Sequence, residues 1–128
     1  MQKNILFAIF IFGLTTLSCR KKEEDQIMLS AHDVTFNANG DSVWITSKAG
    51  WWFADLILDS THYVFNLPRP GNNCKLVYSD SSFQLERRSC DSLFVKMSPN
   101  KTNAIRHLWI QVEFGDYFSS VLFTQNKK

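Results

Sequence analysis

The stretch His107–Gln125, HLWIQVEFGDYFSSVLFTQ, holds the reading that decides the fold. Gly115-Asp116 separates two runs rich in β-branched and aromatic residues, and such a pair suits a two-residue hairpin turn that needs positive φ. Pairing the runs across this turn sets Phe114 opposite Tyr117, Val112 opposite Ser119, Ile110 opposite Val121 and Leu108 opposite Phe123. This set is mostly apolar and is expected to face a core. The alternate set pairs Glu113 with Phe118, Gln111 with Ser120 and Trp109 with Leu122, and its mixed character is expected to face outward. A slip of one residue would exchange the two faces, and both strands agree on a single register. Trp109, Leu122 and Phe118 therefore belong to the less buried side.

The same pattern continues toward the N-terminus. Short alternating or apolar segments recur between Gly, Asn, Asp, Ser and Pro clusters, which is the mark of an all-β chain. Strands are expected at Asp33–Asn37, Ser42–Ser47, Trp51–Leu58, His62–Asn66, Lys75–Tyr78, Phe83–Arg88, Leu93–Ser98, His107–Phe114 and Tyr117–Gln125. Turns fall at Asn39-Gly40-Asp41, Ala49-Gly50, Asp59-Ser60-Thr61 and Ser79–Ser82, with a longer loop at Pro68–Asn73. No segment has a strong helical period. Within ADLIL (Ala54–Leu58) a strand and a short helical turn are both open, because periodicity does not separate them.

The N-terminus has a different character. One lysine, Lys3, precedes the short apolar run Ile5–Leu14, which is shorter than the roughly 20 residues a membrane-spanning helix needs. A charged start, a short apolar core and a small residue before a break read as a secretory leader. The run ends at Cys19, and the charged segment Arg20–Asp25 (RKKEED) follows at once, too polar to bury. Leu17-Ser18-Cys19 resembles the lipobox of bacterial lipoproteins. That likeness implies cleavage before Cys19, addition of a diacylglyceryl group to its sulfur, and a membrane anchor made by the N-terminal lipid. KKEED resembles the acidic export tag of lipoproteins displayed on the outer face of the outer membrane, with the periplasmic face as the alternative. The expected organisation is a signal peptide at 1–18, a lipidated cysteine and charged tether at 19–30, and a single domain at 31–128.

The chain of 128 residues carries a formal net charge of +2, and no basic stripe with interleaved aromatics points to nucleic acid. Beyond Cys19 two cysteines remain, Cys74 and Cys90. Outside the cytoplasm such a pair reads as a disulfide, with two buried thiols as the alternative. Catalytic patterns are missing from the sequence. His32, His62 and His107 lack metal-ligand spacing. Asp33, Asp41 and Asp55 form no recognisable carboxylate pair. There is neither a G-x-S-x-G elbow nor a Gly-rich phosphate loop. The expectation is a non-enzyme without cofactor or metal.

Trp51-Trp52-Phe53 is the main candidate for binding. Successive strand residues point to opposite faces, so one tryptophan is expected to plug the core and the other to be a ligand platform, with Tyr63 beside it. Asp55 and Asn66 are candidate hydrogen-bonding partners for sugar hydroxyls, and Trp109 on the outward face of the last hairpin is a further platform candidate. Asp41-Ser42-Val43, Asp59-Ser60-Thr61 and Asp91-Ser92-Leu93 match a loose O-glycosylation sequon, and also mark turns and strand starts. Asn100-Lys101-Thr102 has the form of an N-glycosylation site and is read as structural.

From Val34 to Gln125 the ordered features resemble a BACON domain of Bacteroidota-type proteins. The resembling pieces are VTFNANGDSVWITSKAGWW, LFVKMSPNKTNAIRHLWIQVEFGDYF and the ending VLFTQ, with Asn100, Thr102, Arg106 and Gln125 in the family's places. The span Asp55–Cys90 departs from the family's compact pattern. The resemblance implies an immunoglobulin-like β-sandwich of antiparallel strands in a glycan-related surface setting. The function it suggests is a carbohydrate-binding or accessory module, acting alone or in a surface protein complex. The other reading is a structural or protein-interaction lipoprotein without a small-molecule ligand.

Overall fold

A computed structural model describes residues 26–67 and 73–128. Cys19, the expected signal peptide before it and the charged segment Arg20–Asp25 lie outside the described residues. Nine strands run in chain order: β1 (Asp33–Phe36), β2 (Asp41–Thr46), β3 (Trp52–Leu58), β4 (Thr61–His62), β5 (Leu76–Ser79), β6 (Phe83–Arg87), β7 (Ser92–Met97), β8 (Arg106–Phe114) and β9 (Tyr117–Gln125). They form two sheets, one ordered β1-β9-β8-β3-β4 and the other β2-β7-β6-β5. All pairs are antiparallel except β1 with β9, which is parallel. This is an immunoglobulin-like β-sandwich.

The final hairpin has the register its side chains dictate: Leu108 opposite Phe123, Ile110 opposite Val121, Val112 opposite Ser119 and Phe114 opposite Tyr117. Leu108, Ile110, Val112, Val121 and Phe123 are buried, whereas Trp109 and Leu122 are only partly covered and Phe118 is exposed. Phe114 and Tyr117 share the inward parity yet stay exposed, because the hairpin tip runs past the end of the core. Gly115 takes φ 59°, with Asp116 in the ordinary negative range, the φ signs of a type II′ turn.

The second sheet supplies the opposing half of the core. Ile45, Phe83, Leu85, Leu93, Val95 and Met97 pack with Phe36, Leu56, Leu58 and the buried residues of β8 and β9. Aromatic pairs close the seams, with Phe36 and Phe123 centred 5.8 Å apart and Tyr63 meeting Phe83 edge-on at 5.1 Å. Gly40 takes φ 90° where the chain turns into β2, and a Cβ there would lie 2.7 Å from the Met97 carbonyl oxygen. No side chain fits that approach.

Two local outcomes differ from the pattern reading, and one open reading is settled. Residues 62–66 were expected as one strand, but β4 stops at His62 and Val64–Asn66 forms a 3-10 turn. There the Asn66 N–H donates to the Tyr63 carbonyl at 2.8 Å, so local bonds replace the ladder. Ala54–Leu58, open to either reading, is strand, and the pairing of β3 with β8 shifts register between Phe53 and Asp55, a bulge that restores the inward aim of Leu56 and Leu58. The packed domain also begins before Ala31: Ile27 and Leu29 are buried, the Ser30 N–H donates to the Thr46 carbonyl, and the Lys48 N–H donates to the Ile27 carbonyl. The first segment thus lies along β2 before crossing to β9.

Cys74 and Cys90 form a disulfide, their Cα atoms 5.0 Å apart. It ties the entry to edge strand β5 to the turn between β6 and β7. The opposite end of the sandwich is held by a polar network. Asn100 is 2 % exposed; its Nδ2 donates to the carbonyls of Ala104 (2.7 Å) and Asn126 (3.1 Å), and its Oδ1 accepts from the Thr102 N–H (3.0 Å) and Oγ1–H (2.7 Å). Buried Gln125 donates to the Ser98 carbonyl at 2.9 Å. Asn100-Lys101-Thr102 is therefore a structural knot, not an open acceptor. Asn100→Ala should cost about 2 kcal/mol, because carbonyls and an N–H at this end lose their partner; urea unfolding with an unchanged slope would measure it.

Candidate functional site

Strand parity separates the candidate aromatics. Trp51, just before β3, is 3 % exposed. Its ring meets Phe53 edge-on at 5.2 Å, its indole N–H donates to Ser47 Oγ at 2.9 Å, and the Arg87 guanidinium carbon lies 3.9 Å from its centre. Trp51 is thus interior and cannot serve as a surface platform. Tyr63 is half-buried between the sheets against Phe83, so it does not stand beside the outer tryptophan. Asn66 lies on the 3-10 turn, where its side chain hydrogen-bonds Tyr78 of the other sheet.

Trp52 points the other way and is 48 % exposed. It stands opposite Glu113 on β8, which in turn stands opposite Phe118 on β9, itself 56 % exposed. The Trp52 indole N–H donates to Glu113 Oε1, which fixes the ring beside the carboxylate. The next row across the sheet is Asp55, Gln111 and Ser120, and the row after that is Ile57, Trp109 and Leu122. Asp55 Oδ1 accepts from the Leu56 N–H at 2.8 Å and lies 3.1 Å from His62 Nδ1. Trp52 and Trp109 therefore share one face of the five-stranded sheet, with a polar row between them. That face carries Asp33, Asp55 and Glu113 and no lysine or arginine on its strands.

The outer face of the four-stranded sheet is a second aromatic surface. Trp44 is 39 % exposed, its ring centred 5.2 Å from Phe94 and 4.8 Å from the Arg88 guanidinium carbon. Arg88 Nε in turn donates to Glu86 Oε1 at 2.7 Å. Sequence reading did not single out Trp44, although inward Val43 and Ile45 on either side required it to point out. Phe65, on the 3-10 turn, is 92 % exposed.

Among the described residues, no group of three or more His, Cys, Asp and Glu side chains is placed to hold a metal ion. The aspartates of the three Asp-Ser sequons each accept a hydrogen bond. The Asp41 carboxylate accepts from the Ser42 N–H, that of Asp59 from the His107 N–H, and that of Asp91 from the Ser89 hydroxyl.

No family model and no curated protein matches the chain. Among solved structures, it is similar to one described as the NMR structure of the protein from Bacteroides thetaiotaomicron, with 19 % sequence identity and a TM-score of 0.62. The alignment covers 88 % of this chain and 96 % of the other, a likeness of fold over nearly the whole domain.

Proposed function

We propose that this protein is a non-catalytic, lipid-anchored binding module of the outer membrane, displayed on the cell surface, that receives a glycan on the outer face of its five-stranded sheet. The observation that carries this reading is the shared face of Trp52 and Trp109, with Asp55, Gln111 and Glu113 set between and beside them. Aromatic rings offer flat apolar surface at low entropic cost. Sugars present C–H faces to such rings, and neighbouring amide and carboxylate groups hydrogen-bond their hydroxyls. The lipobox-like Leu17-Ser18-Cys19 supports the anchor, the charged Arg20–Asp25 supports the outward leaflet, and the BACON resemblance supports the glycan setting.

The test is a glycan array on the purified protein, followed by calorimetry of any hit. Trp52→Ala or Trp109→Ala should weaken binding at least about ten-fold, which corresponds to about 1.4 kcal/mol. Trp44→Ala, on the opposite sheet, should leave it unchanged. Binding by no glycan, or binding that survives both Trp52→Ala and Trp109→Ala, would remove the reading.

One observation favours a protein-interaction role as the second reading. Trp44 with Arg88 combines the residue types that dominate protein interfaces, and Phe65 stands almost fully in solvent. Cross-linking on intact cells separates the two readings: a partner captured through the Trp44 face, with no glycan binding, favours the second.

A further inference from the structure

The two outer faces of the sandwich carry opposite charge. Outward positions of the five-stranded sheet hold three carboxylates, Asp33, Asp55 and Glu113, and no lysine or arginine. His62 and His107, on the same face, add no formal charge at neutral pH. The outer face of the four-stranded sheet holds three cations against one acid. Lys96 stands exposed between buried Val95 and Met97 on β7. Lys75 precedes buried Leu76 and so shares the side of exposed Val77, and Arg88 lies against the outer Trp44 ring. Glu86, the acid of this face, is already paired with Arg88 at 2.7 Å. Lys75 and Lys96 make no ion pair among the described residues.

Each face also presents uncovered apolar surface: Trp52 and Phe118 on the acidic one, Trp44 and Val77 on the basic one. Apolar side chains clustered on a flat sheet and rimmed by polar groups mark a surface that meets another. Electrostatics then chooses the partner. Stacked sheets lie about 10 Å apart, near the screening length of about 8 Å at physiological salt. Two acidic faces brought together at this spacing repel, as do two basic ones, whereas an acidic face against a basic one pairs opposite charges. One chain carries both faces, on opposite sides of the sandwich, so a second copy supplies the complementary surface.

We propose that the outer face of the four-stranded sheet docks onto the outer face of the five-stranded sheet of a second copy, head to tail. Such a contact is heterologous, so each docked copy leaves one acidic and one basic face open, and copies add into rows. The acidic face is the one assigned above to a glycan, which makes glycan and copy alternative occupants of it. Docking depends on charge and not on that ligand, and it is measured with no glycan present, so the two readings stand or fall separately.

Sedimentation velocity of the purified protein is the test. Sheet faces of this size make an interface in the weak class, below about 1,200 Å² of buried surface, so the concentration series runs to about 1 mM. The mean sedimentation coefficient should rise along the series and fall back in about 1 M NaCl, where the screening length drops to about 3 Å. Two double variants each neutralise one face. Asp55→Asn with Glu113→Gln keeps an oxygen to accept from the Leu56 N–H and from the Trp52 indole, and Lys75→Gln with Lys96→Gln changes exposed side chains. Each alone should associate at least about ten-fold more weakly than the parent. Mixed in equal amounts, they should form a dimer that grows no further, because the intact acidic face of one variant meets the intact basic face of the other. No association along the series, association unchanged or strengthened by salt, or a mixture that forms no dimer would overturn the proposal.

Discussion

Trp51→Ala should destabilise the protein by about 3–5 kcal/mol, while Trp52→Ala, one residue away, should cost less than about 1 kcal/mol. The contrast follows from which face each ring occupies. Removing the Trp51 ring opens a cavity beside Phe53 and frees the Ser47 hydroxyl of its indole donor. It also strips the aromatic cover from a guanidinium 3.9 Å away, and a desolvated cation–π contact is itself worth about 2 kcal/mol. Trp52 is half in solvent and its one polar contact is with Glu113 on the outer face. Urea unfolding of the two variants side by side is the measurement. Equal losses would contradict the interior and exterior assignments made here.

Removing the disulfide by Cys74→Ser together with Cys90→Ser should cost about 3 kcal/mol, the chain-entropy value for a loop of this size. The bridge spans a sequence separation of 16 and encloses the hairpin of β5 and β6. It also holds the Cys90 turn, whose carbonyl accepts from both Arg87 Nη2 and the Trp51 N–H. β5 is an edge strand, paired only with β6. The loss should therefore appear twice: as a lower urea midpoint for the whole domain, and as faster amide exchange in β5 than in β8 or β9. Exchange that accelerates equally in β5 and β9 would mean that the bridge constrains only the unfolded chain and does not stiffen the edge.

The sequence made local pairings legible and left non-local ones obscure. The register of β8 and β9 was readable because two adjacent strands had to satisfy one alternation across a two-residue turn. The Trp51-Trp52 pair was readable as one inward and one outward ring, but which ring took which face depended on the bulge between Phe53 and Asp55 and on the Cys90 turn. Tyr63 was misjudged as a companion of the platform because the strand expected at residues 62–66 gives way to a 3-10 turn that swings the ring toward Phe83. Arg87 was passed over although Phe83 and Leu85 set its parity, because a charge in a core runs against the usual cost of burial. The parallel contact of β1 with β9 joins the two ends of the domain, and no local pattern encodes it.

That contact bears on how the protein carries load. β1 and β9 run side by side in the same direction through Asp33–Leu122, Val34–Phe123, Thr35–Thr124 and Phe36–Gln125. A pull on the chain entering β1, opposed by a grip beyond the end of β9, slides the two strands lengthwise past each other. Their backbone bonds must then give way together, whereas a peeled hairpin opens one rung at a time. A force applied between the start of β1 and the end of β9 therefore shears this pair and does not peel it.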